Sequence, residues 1–408
     1  MFLWVVCILF IHTTGRRISL FSIYFHLYSL FYGPAFYYYF SDHRVTEKVA
    51  LRCTISVILF LFSYFAGHFI LISFFKKVYS FALWKNRPLR DEYVNKFMFF
   101  SACMISGMIL FLSIFFYGGI NSLSLFYQSL LEETLTPELG DVLRKDSGVS
   151  QGFLAPIYPY VLPALGKLAS LGLLGFAIFK KNKLIFCAGL CLVILELIGL
   201  AGNLSKSSFV FFLIQIIIFF ILIYDVKINF LRIGIFTGAI ILLLVQIYLL
   251  TTNAENSSMA RELLFNRVFG EPNRVLALHM QYWPDIFPHT NGLNIRLVHS
   301  MFGSGDYLSA AQRLCFGSYR CTFNVIFFGE AYIDFSWFGV VFYSLIVGLL
   351  LTFLDFFIFK KKTWLRIALF STLISALFGL TSNGLITILV GFGLLTLPVF
   401  IKILKIKF

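Results

Sequence analysis

The chain has 408 residues, of which 59% are hydrophobic and only 13% charged, about half the roughly 25% charged content usual in soluble domains. With 52 Phe and 20 Tyr and a mean hydropathy of +0.88, this composition excludes a soluble globular enzyme, a disordered chain and a collagen, and makes lipid the expected solvent. The formal net charge of +14 would suit nucleic acid, but no basic run with interleaved aromatics lies in a polar segment, so no nucleic-acid partner is expected.

Crossing about 30 Å of hydrocarbon takes roughly 20 apolar residues. Such stretches lie at 18–40, 53–75, 97–117, 153–179 and 184–202, and again at 208–223, 233–251, 336–358, 367–381 and 384–401. The opening stretch Phe2 to Thr14 lacks a positive n-region and an Ala-x-Ala-like cleavage site, and is read as a first, tight span rather than a signal peptide. Residues 322–334 are a candidate twelfth crossing. The expected fold is an all-α polytopic integral membrane protein of about 11 transmembrane helices, range 10–12, forming a single domain over 1–408.

Orientation follows from Lys and Arg, which accumulate in short cytoplasmic loops. Alternate loops hold Arg16 and Arg17; Lys76, Lys77, Lys85, Arg87, Arg90 and Lys96; Lys180, Lys181 and Lys183; Lys227 and Arg232; Lys360 to Lys362 and Arg366; and Lys402, Lys405 and Lys407. These are 20 cations against three acids, Asp91, Glu92 and Asp225, whereas the other loops carry 12 cations and 14 acids. The first set is therefore expected to be cytoplasmic. Two opposite-facing segments exceed simple turns, 118–152 and 252–321. Each is expected to contain short amphipathic helices, since Thr136-Pro137-Glu138 reads as an N-cap with Pro at the first helical position.

The outer segment 252–321 contains six Arg and no Lys: Arg261, Arg267, Arg274, Arg296, Arg313 and Arg320. Positive-inside bias would deplete both residue types, so an Arg-only set calls for another reason. A planar guanidinium binds phosphate or carboxylate bidentately and keeps its charge when partly desolvated, which suits a diphosphate at the outer interface. The alternative is structural pairing with Glu255, Glu262, Glu271, Asp285 and Asp306. His279, His289 and His299 lie in the same segment without zinc-ligand spacing, so no metal is expected. His289, in Pro288-His289-Thr290-Asn291-Gly292, sits where a turn can bring it to a ligand. Cys315 and Cys321 would face an oxidising compartment, so a structural disulfide is a candidate.

Within the membrane, Lys167 and Glu196 lie equally far from the Lys180 to Lys183 turn. An antiparallel hairpin would set them at equal depth, as a direct ion pair or as independent residues facing a polar cavity. No Gly-x-Ser-x-Gly elbow, P-loop, Rossmann glycine pattern or Asp-x-Asp signature is present.

Three runs together resemble the O-antigen polymerases, Wzy-type polymerases of lipid-linked oligosaccharide repeat units. They are Gly202-Asn203-Leu204-Ser205-Lys206-Ser207-Ser208; Asn266-Arg267-Val268-Phe269-Gly270-Glu271-Pro272; and Asn324 through Phe335 followed by Gly339-Val340. The resemblance covers about residues 110–400 and both outer segments. It implies an inverting, metal-independent glycosyltransferase without a cofactor, in the bacterial inner membrane with its site facing the periplasm. Such an enzyme moves a growing glycan from undecaprenyl diphosphate to the non-reducing end of an incoming repeat unit. Its partners would be the undecaprenyl-diphosphate-linked oligosaccharide, membrane lipids and a chain-length regulator.

Arginines of the two outer loops are the family's expected catalytic groups, and the matching positions are Arg144 and Arg267. Tyr160 and Trp283 stand where some members place Gly sixteen residues after each such Arg. Arg274, Arg296 and Lys206 would help stabilise diphosphate charge. His289, Glu271 and Asp285 are candidate bases, while Asn324, Tyr282 and Tyr332 would contact sugar, the tyrosines by stacking. The rival readings are an O-antigen ligase using the same donor and, from another class, a repeat-unit flippase. Against transport, no short Gly- or Pro-interrupted helices recur in corresponding positions.

Overall fold

An apolar segment in lipid has only its own carbonyls to bond, so its backbone is driven into helix. A computed structural model of the chain describes residues 19–32, 45–75, 81–115, 161–202, 206–226, 270–303, 309–314 and 325–406. Among these residues the fold is helical, without a strand. In chain order come α1 (Leu20–Tyr32), α2 (Glu47–Phe75), α3 (Phe81–Lys85), α4 (Lys96–Phe115), α5 (Lys167–Lys180, entered by a π turn at Val161–Gly166), α6 (Lys183–Gly202) and α7 (Lys206–Ile223). There follow α8 (Glu271–Tyr282), α9 (Arg296–Phe302), α10 (Ala310–Leu314), α11 (Phe327–Phe359), α12 (Trp364–Gly379), α13 (Leu385–Val390) and α14 (Thr396–Ile403).

Among the described residues three helices are long and apolar enough to cross a membrane: α2, Lys183–Leu200 of α6, and α11. Shorter apolar stretches occupy α4, α7 and α12. The segments Phe2 to Thr14, 118–152 and 233–251 lie outside the described residues. The stretch 384–401 is not one helix. It is divided between α13 and α14 at Gly391-Phe392-Gly393, where Gly393 adopts φ 81, a conformation that side chains disfavour.

The chain forms two compact units. The first comprises Met1–Trp84, Phe265–Lys360 and Leu377–Ile388. Its spine is α2 against α11, whose backbones approach at small residues. A Cβ added at Gly348 would lie 2.1 Å from Tyr64 O, and one at Gly67 would lie 2.5 Å from Leu345 O. Asp355 on α11 caps α1, accepting the N–H groups of Leu20 at 2.7 Å and Phe21 at 3.3 Å. Carboxylate at a helix N-terminus satisfies donors that would otherwise be orphaned.

Thirty-three residues of helix would rise about 50 Å, well beyond the hydrocarbon thickness, and α11 is in fact broken. Phe335 (φ −135, ψ 21) and Ser336 (φ 55, ψ −147) leave helical geometry. A Cβ at Gly339 would fall 2.1 Å from Ala331 O, eight residues earlier, where an unbroken helix would separate the two positions by about 12 Å. The short limb, 327–334, thus folds back sharply upon the long limb, 337–359. The long limb, about 34 Å at helical rise, matches the span expected at 336–358, and the short limb falls within 322–334.

The second unit comprises Lys85–Leu264, Lys361–Ala376 and Leu389–Phe408. Here α5 and α6 form the expected hairpin, turned at Lys181 (φ 54) and capped by Asn182, whose Oδ1 accepts the Ile185 N–H at 3.1 Å. Lys167 and Glu196 are both buried, yet they form no direct ion pair. Both Glu196 oxygens lack a hydrogen-bond partner, and Lys167 Nζ lies 5.8 Å from the centroid of the Phe212 ring. Equal depth along a hairpin did not bring the two side chains into hydrogen-bonding contact.

All three acids of the cation-rich loops bind cations of other such loops. Asp91 meets Lys180 at 2.6 Å, Glu92 meets Lys405 at 2.6 Å and Arg366 at 3.3 Å, and Asp225 meets Lys362 at 3.4 Å. Loops that the charge count assigned to one side therefore converge within this unit.

Candidate functional site

Asn-Gly is the pair that a type I′ turn selects, because both central residues need positive φ. The chain makes this turn at 290–293: φ is 51 at Asn291 and 88 at Gly292, and Leu293 N–H donates to Thr290 O at 3.0 Å. The turn docks on the break in α11. Non-helical Phe335 and Ser336 interrupt the helical ladder, and the turn supplies substitutes: Thr290 N–H donates to Ile333 O at 3.1 Å and Asn291 N–H to Asp334 O at 2.9 Å. Irregular backbone in an apolar helix is tolerated where such partners are provided.

Side chains follow the same junction. The Thr290 hydroxyl donates to Asp334 Oδ1, and the N–H groups of Gly292 and Asn294 face that carboxylate. Asp334 is buried, and its Oδ2 has no hydrogen-bond partner. One turn earlier, Glu330 Oε1 accepts the Asn294 amide at 3.1 Å, and Asn294 Oδ1 in turn accepts the Ala310 N–H at 2.7 Å. The Leu385 N–H also faces Glu330. Gly384 makes room for this carboxylate, since a Cβ there would sit 1.7 Å from Oε2.

His289 Nδ1 lies 3.2 Å from Ile333 O, which makes it a donor and leaves Nε2 as the basic nitrogen. Of the other histidines in this segment, His279 and His299 are buried. His279 Nδ1 donates to Val275 O at 2.7 Å, and burial pushes its pKa down to about 4, so it is neutral at physiological pH.

Asp285 is clamped by Arg52 and Lys48, with contacts of 2.9 Å to each. Hydrogen bonds from Arg52 and then Lys48 bring its pKa down to about 2. A carboxylate so stabilised in its charged form is a poor base, which removes Asp285 from the candidate bases. Arg52 also donates to Met280 O at 2.9 Å, tying α2 to the end of α8.

The other expected site residues fall as follows. Arg144, Arg267, Asn324, Cys315 and Cys321 lie outside the described residues. Glu271, Arg296 and Lys206 open α8, α9 and α7, and only their backbone is described. Gly270-Glu271-Pro272 opens α8, with Pro in the first turn. Arg274 is exposed on α8. Tyr282 is half-buried and stacks on Phe287 at 6.0 Å. Tyr332, expected to present a face to sugar, is instead 2% exposed, packed edge-on against Trp337 at 4.9 Å and His289 at 5.3 Å.

The groups that sequence reasoning missed are Glu330, Asp334, Thr290, Asn294 and Arg52. Their signal was two carboxylates four residues apart in an apolar run, a spacing that puts them on one helix face. Among the described residues no cluster of three or more His, Cys, Asp or Glu is arranged for a metal. No protein-family model, curated protein or solved structure matches the chain.

Proposed function

We propose that the chain polymerises lipid-linked oligosaccharide repeat units at the outer leaflet, transferring the growing glycan from undecaprenyl diphosphate to the non-reducing end of an incoming unit. The observation that carries this reading is the meeting of the 288–294 turn with Glu330–Phe335 at the broken end of an apolar helix. Thr290 and Asp334, 44 residues apart, come from the outer segment and from one of the runs that carry the family resemblance. A polar site at that end, on a long limb terminating at Lys360, has the polarity expected of an outer-face enzyme.

The acceptor hydroxyl attacks the anomeric carbon of the donor. The anomeric C–O bond to diphosphate breaks, and its electron pair leaves with undecaprenyl diphosphate, so little general acid is needed. Arg144 and Arg267, with Arg274, Arg296 and Lys206, would stabilise that charge where water is scarce. Purified protein incubated with lipid-linked repeat units should form dimers and longer chains. Arg144→Ala and Arg267→Ala should abolish extension while the protein stays inserted, and Arg267→Lys should rescue it poorly. Full-length ladders from both alanine variants would overturn these assignments. An O-antigen ligase is separated by its loss of function, which leaves bare core and polymer on the carrier, whereas polymerase loss leaves core with one repeat unit.

The break in α11 favours one second reading, a repeat-unit flippase, because discontinuous helices line transport sites. In that case reconstituted vesicles would move the lipid-linked unit across the bilayer without forming a glycosidic bond.

A further inference from the structure

The α11 break holds more polar chemistry than its fold requires. The backbone of the 290–294 turn already supplies donors to Ile333 O and Asp334 O, yet Glu330 and Asp334 add two carboxylates on one face of the short limb. Asp334 is 0% exposed, with Oδ2 lacking a partner. A buried carboxylate oxygen without a donor is costly, and a proton or a ligand hydroxyl is the usual remedy. Glu330 is less enclosed than Asp334, so of the two it is the better placed to meet a ligand. Its position is constrained from two sides, by the Asn294 amide and by the absence of a side chain at Gly384.

From this arrangement, and resting on the polymerase reading, we infer that Glu330 is the catalytic base for the attacking sugar hydroxyl and that the buried Asp334, one helical turn on, is a positioning residue that acts through it. The hydroxyl O–H bond breaks toward Glu330 as the oxygen bonds to the donor's anomeric carbon and undecaprenyl diphosphate departs. Glu330, the more exposed of the two, holds that proton and loses it to water when product leaves, while the Asp334 carboxylate, held by the Thr290 hydroxyl, stays in place one helical turn away. Glu330 touches the substrate; Asp334 acts through it. The other ionisable groups facing the pair are Tyr343 on the long limb and Arg313 on α10, while His289 turns its Nδ1 to Ile333 O.

The test compares purified wild type, Glu330→Gln, Asp334→Asn and Gly384→Ala for chain extension of lipid-linked repeat units from pH 5 to 9, for donor binding and for thermal midpoint. Glu330→Gln should bind donor as wild type does and extend chains about 100-fold or more slowly, the scale of a lost general base. Asp334→Asn should extend about 10-fold more slowly and move the acid limb of the pH profile. Gly384→Ala, whose Cβ displaces the Glu330 carboxylate, should slow extension with both carboxylates present. Extension by folded Glu330→Gln within a few-fold of wild type overturns the inference. If that variant does not fold, Gly384→Ala decides: a slowed rate supports the inference and a wild-type rate overturns it. Wild-type protein that binds the lipid but forms no glycosidic bond overturns the polymerase reading itself, a result distinguishable from failure of the base assignment.

Discussion

In the second unit, Glu92 is surrounded by Lys405, Arg366 and the Thr363 hydroxyl, while Asp91 lies between Lys180 and the Trp364 indole N–H. In the first unit, Glu330 and Asp334 receive an amide, a hydroxyl and backbone N–H groups, with Arg313 acting on Asp334 electrostatically. The first arrangement answers acids with cations and joins loops, as a structural cluster should. The second leaves an oxygen open at a strained break, a combination that concentrates at functional sites. Carboxylates in one chain thus divide by their partners. The division is not perfect, because Glu196 in the second unit is also buried with both oxygens unpartnered.

The comparison can be broken at its cationic side first. Glu92 and Arg366 side chains are each 8% exposed, so Glu92→Ala leaves a buried guanidinium without its carboxylate and should cost about 3–5 kcal/mol. A matching fall in thermal midpoint checks this, and an unchanged midpoint would place the cluster's role elsewhere. The same carboxylate carries a pH signature. Burial alone would raise the Glu92 pKa, but hydrogen bonds from Lys405 and Thr363 and the Arg366 charge outweigh burial and lower it. Stability from a lowered carboxylate is complete above the unfolded value near 4 and is lost as pH falls through the folded one. Thermal midpoints should therefore drop below about pH 4, and Glu92→Gln should flatten that drop.

A smaller effect sharpens the other side. Ser336 holds φ 55 and ψ −147, a region nearly reserved for Gly and costing about 1–3 kcal/mol. Ser336→Gly should raise stability by about 1 kcal/mol, read from denaturation, whereas Ser336→Val should lower it. Smallest of all, the Lys180–Asp91 pair is 40% and 48% exposed, so Lys180→Met should change stability by no more than about 1 kcal/mol in the same measurement.

Much of this was legible in the residues. Asn291-Gly292 specified its turn, since few other pairs accept two positive φ values. The apolar runs specified helices near 53–75, 97–117, 184–202 and 208–223, since such segments have few other ways to satisfy their backbone in lipid. The candidate site was legible only in part. His289 and Tyr332 do flank the junction, but the arginines Arg144 and Arg267 lie outside the described residues, and Tyr332 is packed rather than presented.

Composition and charge pattern by themselves determined the helical class and which loops belong together, because hydropathy and Lys and Arg counts act locally along the chain. Tertiary structure alone decided that α11 breaks at Phe335–Ser336, that Gly384 leaves space for Glu330, and that Asp285 is spent on Arg52 and Lys48. Each of these depends on which distant segment packs against which face. Spacing could set Glu330 and Asp334 on one face and Lys167 and Glu196 at one depth. Only packing could leave Asp334 Oδ2 open and keep Lys167 and Glu196 from bonding, because a side chain's partner is fixed by direction as well as by position along the helix.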